Sequence, residues 1–178
     1  MDVLVVIDMQ TAPFAQNNIF DQENIVERIN ILSEYIRSQG GRVVFVQHNG
    51  IDEEGLKPHT PGWCLLSTLI VNSETDYVIR KVGNDAFYKT DLSLLLKKHK
   101  AERLIIAGWA TDLCVDTTVR SAVSREYNVI VAADYHTLSD RPHLGAKHVI
   151  EHHNWVWKNL LTVGNAIDVV STKELCDK

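Results

Sequence analysis

The sequence predicts an α/β domain of three layers, with a parallel sheet of about six strands covered by helices on both faces. Two patterns carry that expectation. Short apolar runs are spaced along the whole chain, and most are β-branched and continuous rather than alternating, which is how strands read when both sheet faces are buried. Segments with a 3.6-residue apolar period lie between them, and strand–helix alternation of this kind implies parallel pairing with helical crossovers. At 178 residues, without a composition break, repeat or low-complexity tract, the chain reads as one domain over 1–178.

The six runs are Val3-Leu4-Val5-Val6-Ile7, Val43-Val44-Phe45-Val46, Tyr77-Val78-Ile79, Leu104-Ile105-Ile106-Ala107, Val129-Ile130-Val131-Ala132 and Ile167-Asp168-Val169-Val170. In the first helical segment Ile25, Ile29, Leu32 and Ile36 share one face, and Gly40-Gly41 ends it. Further helices are expected over roughly 89–99, 112–126 and 143–160.

Charge and composition exclude several functions. Lys and Arg total 18 against 23 Asp and Glu, a net charge of −5. No basic footprint for nucleic acid or an anionic membrane surface results. The longest apolar stretches are too short to span a bilayer. Three cysteines, Cys64, Cys114 and Cys176, show neither metal-like nor C-x-x-C spacing and read as thiols of a reducing cytoplasm. Neither G-x-G-x-x-G nor G-x-x-x-x-G-K-[ST] occurs, so phosphates lack their usual cradle.

In such sheets ligands bind beyond the carboxyl ends of the strands, where strand order reverses. The polar residues that follow the runs are therefore the candidates: Asp8; Gln47 and His48; Arg80 and Lys81; Gly108 through Cys114; and Asp134. If the first and fourth strands are neighbours, Asp8 and Cys114 face one crevice. Cys114 would sit in the first turn of a helix capped by Thr111 or Asp112, where the helix dipole and a neighbouring Lys81 favour thiolate and Asp8 can take its proton. Position alone leaves two readings for Cys114, a nucleophile or a buried inert thiol. Cys64 and Cys176 read as packing or surface residues. Asp8 is not placed for phosphoryl transfer: Gln10 stands where a haloacid-type phosphatase has its second Asp, and no acidic pair precedes it as in a receiver domain.

Taken together, Asp8-Met9-Gln10, then Lys81 with Asp85-Ala86-Phe87 and Thr90-x-Leu92, then Gly108-x-Ala110-Thr111-Asp112-x-Cys114-Val115-x-x-Thr118-x-Arg120-x-Ala122, resemble the isochorismatase-like cysteine hydrolases. Asp134 and the helix with Ile150, His152 and His153-Asn154 extend the resemblance over nearly the whole chain. It implies a Rossmann-like αβα fold and a catalytic triad of Asp8, Lys81 and Cys114. It also implies a cis peptide between Trp109 and Ala110 that turns the Ala110 N–H, with that of Cys114, into an oxyanion hole. Three members of one fold remain open: an amidohydrolase, a vinyl-ether hydrolase acting on isochorismate, and an inactive binding or assembly protein. Retention of Cys114, Lys81 and Asp8 favours C–N bond hydrolysis.

The departures from the family pattern carry expectations of their own. The stretch Gln10-Thr11-Ala12-Pro13-Phe14 inserts a residue and loses two polar ones, leaving Phe14 to line the substrate wall, with Trp109 and His48 as further substrate contacts. His48-Asn49-Gly50 stands where nicotinamidases have Asp-x-His, so no metal or other cofactor is expected and nicotinamide is not the preferred substrate. The loop from Gly50 to Gly62 is expected to shape the pocket.

Two further motifs read as surface features. His148-Val149-Ile150-Glu151-His152 spells the H-x-x-E-H signature, but both histidines point away from the helix's apolar stripe. Arg120 and Arg125 lie past the first turn of their helix, with Arg120 tying it to neighbouring structure. Trp155 on the polar side of the last helix points to a subunit contact and a homo-oligomer.

Overall fold

A computed structural model describes residues 1–15, 18–171 and 175. Six strands form one sheet: β1 (Asp2–Ile7), β2 (Arg42–His48), β3 (Tyr77–Lys81), β4 (Arg103–Trp109), β5 (Asn128–Thr137) and β6 (Ile167–Val170). Their order is β3-β2-β1-β4-β5-β6 and every pairing is parallel. Order reverses between β1 and β4, which pair from Asp2↔Arg103 to Ile7↔Gly108.

The helices are α1 (Thr11–Phe14), α2 (Gln22–Ser38), α3 (Leu92–Lys98), α4 (Asp116–Ser124) and α5 (Ala146–Lys158), with a wide π-type turn at Thr111–Val115 leading into α4. The continuity of the apolar runs has a direct structural cause. Along β1, Val3, Val5 and Ile7 pack beneath α3, α4 and Trp157 of α5, while Leu4 and Val6 pack against Ile25, Ile29, Leu32 and Ile36 of α2. Both faces are buried, so neither parity can be polar. This is the expected three-layer arrangement.

Gly108 closes the switch point. Its φ is +121°, and a Cβ there would lie 2.1 Å from the Ile7 carbonyl oxygen, so only glycine lets β4 leave the sheet this close to β1.

Strand β5 is longer than its apolar run. The register jumps from Ile106↔Val131 to Gly108↔His136, and the extra residues of this bulge carry the strand to Thr137. Asp134 therefore lies within the strand and does not follow it; its backbone oxygen accepts a hydrogen bond from Arg28.

Candidate active site

Three strand ends converge on one crevice. Asp8 follows β1 with a left-handed backbone (φ 49°), a conformation that aspartate tolerates better than most residues. Lys81 is the last residue of β3, and Cys114 lies in the π-type turn after β4. Asp8, Lys81 and Cys114 are all buried.

The Lys81 ammonium has three donors and meets three groups. Its Nζ lies 2.7 Å from Asp8 Oδ2, donates to Cys114 Sγ at 3.2 Å and donates to the Gly83 carbonyl at 2.9 Å. The contact with Asp8 is a buried ion pair within hydrogen-bonding distance. Asp8 also lies within hydrogen-bonding reach of the Cys114 thiol.

Burial dominates the titration of both groups. It raises the Asp8 pKa above the ordinary carboxylate value, against the opposing pull of Lys81. Burial and the Asp8 charge push the Cys114 thiol up to about 12, outweighing Lys81. A sulfur within a dry turn loses more solvation than one dipole and one ammonium return. The same geometry offers the remedy, because a carboxylate of raised basicity adjoins the thiol that must lose its proton.

The turn itself is held differently from the capped helix that was expected. Thr111 Oγ1 bonds His136 Nδ1 at 3.0 Å, and Asp112 is clamped by Arg141 at 2.5 and 2.8 Å, so neither side chain caps the turn. His136 also bonds Asn154 Oδ1 at 3.0 Å; burial lowers its pKa to about 4, leaving a neutral tether between the turn and α5. The peptide bond between Trp109 and Ala110 is cis. From the β3 side, Asp85 accepts from Ser121 Oγ at 2.9 Å and from the Phe87 N–H at 2.8 Å, while the Ala86 N–H donates to Thr118 Oγ1 at 3.1 Å. These motif residues fasten the loop that carries Asn84 onto α4. Asn84, which the sequence reading passed over, accepts from Cys114 Sγ at 3.6 Å.

Above the sulfur opens a cavity of about 250 Å³. Asp8, Cys114, Asn84, Trp109, His48 and Glu54 line it. Phe14 does not: it is buried in the core beneath α2, and Ala12 and Pro13 of the same short helix line the cavity in its place. The 50–62 loop does contribute, through Glu54 and Leu56. Gln10 holds that loop: its side chain accepts from the His48 N–H at 2.8 Å and donates to the carbonyls of His48 and Trp63 at 3.1 and 2.7 Å.

The remaining candidates lie elsewhere. His148 and His152 are exposed on α5, and among the described residues no group of three or more His, Cys, Asp or Glu is arranged to hold a metal. Arg120 pairs with Asp116 one turn back at 2.9 Å, and Asp116 in turn accepts from Trp157 Nε1 at 2.7 Å, linking α4 to α5. Arg125 lies 4.9 Å over the Phe87 ring. Cys64 is exposed, and Cys176 lies outside the described residues. No described helix is long and apolar enough to cross a membrane.

The doubly wound parallel sheet thus gathers a cysteine, a lysine and an aspartate at the carboxyl ends of its strands. The model of the isochorismatase domain matches residues 2–165, and the chain belongs to that family, whose members are hydrolases. It is 29% identical over 143 residues to streptothricin hydrolase of Streptomyces noursei, a match that covers 80% of this chain and 51% of that one. The chain thus spans about half the length of that relative. It is 31% identical over 173 residues to an Arabidopsis thaliana protein described as a probable inactive nicotinamidase, covering 85% of this chain and 87% of that one. The solved structure of an isochorismatase family protein has a TM-score of 0.84 at 29% identity, over 96% of this chain and 98% of that one.

Proposed function

We propose that the protein is a cysteine-dependent hydrolase that cleaves a C–N bond of a small amide-type molecule through a thioester. The observation that carries this reading is the meeting of Cys114 Sγ, Lys81 Nζ and Asp8 Oδ2 in one buried cluster at the floor of the cavity.

The steps follow from the proton positions. Asp8 takes the Sγ–H proton as sulfur attacks the carbonyl carbon, and Lys81, in contact with both, balances the charge that moves between them. The carbonyl electron pair moves to oxygen, where the Ala110 and Cys114 N–H groups receive it. Collapse expels the nitrogen, which takes the proton from Asp8 and leaves as an amine, with Cys114 acylated. Asp8 then deprotonates a water that attacks the thioester; the carbonyl re-forms with sulfur as the leaving group, and Asp8 returns that proton to sulfur to restore the thiol. The acid product carries the water oxygen. No step calls on a metal or organic cofactor. The raised basicity of Asp8 suits a group that must accept and return one proton per half-reaction.

We also propose that the chain forms a homo-oligomer in which Trp155, 64% exposed on α5, is a contact residue.

A panel of small amides, ureides and isochorismate tests the reaction class. The expected result is release of ammonia or an amine from at least one amide or ureide, with isochorismate left intact. Turnover of isochorismate alone would instead assign the vinyl-ether reaction, in which Cys114 is dispensable. Binding of panel members with turnover of none would assign the inactive reading, for which the Arabidopsis relative provides a precedent.

A further inference from the structure

We infer that the substrate presents a cationic or N–H-rich group to Glu54, and that the cavity selects against anionic substrates; this rests on the function proposed above. Formal charges around the cavity carry the inference. Lys81 lies behind the lining residues Asp8 and Cys114, and its ammonium already contacts Asp8, Cys114 and Gly83. Among the described residues no arginine and no lysine lines the cavity. Glu54 adds a carboxylate that pairs with no lysine or arginine among the described residues; His48 Nε2 lies 3.9 Å away. Burial and Lys81 lower the His48 pKa against the opposing pull of Asp8 and Glu54, which disfavours a charged ring.

Glu54 is also held in place. Its Oε2 accepts the Ile51 N–H at 3.1 Å, which turns the side chain back toward His48, while Oε1 meets no donor among the described residues. With half of its side chain exposed, Glu54 stands nearer the mouth than the buried sulfur. A substrate whose carbonyl reaches Cys114 therefore extends its other end past the Glu54 carboxylate. The remaining polar atoms that line the space are neutral: Asn84, Ser139, and two buried atoms without a partner, His48 Nδ1 and Trp109 Nε1. They can orient a polar molecule but give no counter-charge to an anion.

The test uses Cys114 as its own reporter. Wild-type protein and Glu54→Gln are treated with neutral methyl methanethiosulfonate and its trimethylammonium-ethyl and sulfonato-ethyl analogues. Modification of the Cys114 peptide is timed by mass spectrometry, and each rate is divided by that of the reagent with 2-mercaptoethanol. Gln keeps an acceptor for the Ile51 N–H, so the loop contact survives the substitution. The expected normalised cation-to-anion ratio exceeds one in the wild type and falls about three- to tenfold in the variant, the size of effect one partly screened charge produces across a pocket. A ratio near one in the wild type with rapid neutral labelling would overturn the charge selectivity and leave the nucleophile standing. An unchanged ratio in Glu54→Gln would remove Glu54 from the inference. Failure of all three reagents to reach Cys114 would sink the proposed nucleophile, and this inference with it.

Discussion

Cys114→Ala is expected to lose hydrolytic turnover by about 10⁴-fold or more and to keep the fold. The size follows from what the sulfur does, since without it no covalent intermediate forms and the buried carboxylate has no proton to take. The structural cost is small. Removing one sulfur from a buried turn leaves a small void and frees one lysine donor, a loss of roughly 1 kcal/mol against a stability typically several times larger. Activity on a substrate identified from the panel, read beside a thermal melt, separates the two effects. Near-wild-type turnover by this variant would remove Cys114 from the chemistry.

Lys81→Met carries the largest expected effect on stability. The ammonium and the Asp8 carboxylate are both buried, 2.7 Å apart. Removing one partner of such a pair leaves the other charge without compensation, at a cost of about 3–5 kcal/mol. Asp8→Asn alone is expected to be destabilising for the mirror-image reason, an ammonium left beside a neutral thiol. The double variant Lys81→Met with Asp8→Asn removes both charges and should recover most of the lost stability in a denaturant titration. It should recover none of the activity, because neither proton acceptor nor counter-charge remains. Single and double losses that simply add would show that the two charges do not depend on each other.

These expectations rest on side chains from three strand ends, and it is instructive which of them the linear pattern exposed. The strands were legible because burial on both faces forces continuous apolar runs, and Asp8, Lys81 and Cys114 were legible because each stands at or just beyond the end of such a run. The part of β5 beyond Ala132 was not legible: Asp134 and His136 enter a strand through a bulge, where periodicity is broken by construction. Phe14 was misassigned because a four-residue helix, α1, turns it inward to the core and turns Pro13 toward the cavity. Glu54 and Asn84 could not be read as site residues, since both arrive on loops whose course is fixed by distant contacts, Gln10 with His48 and Trp63 for one, Thr118 and Ser121 with the 84–87 segment for the other. Nor could sequence show that burial and the Asp8 charge push the Cys114 thiol up, because that depends on how dry the turn becomes in the folded chain.

The most direct measurement compares two thiols within one molecule. Cys64 is exposed and Cys114 is buried, so solvent access alone would make Cys64 the faster to react with iodoacetamide near pH 7. A sulfur activated by Asp8 and Lys81 should invert that order, with peptide mapping showing Cys114 carbamidomethylated first and the inversion lost in Asp8→Asn. If Cys64 is alkylated first and substitution of Asp8 leaves both rates unchanged, the buried cluster is a structural ion pair and Cys114 is not a nucleophile.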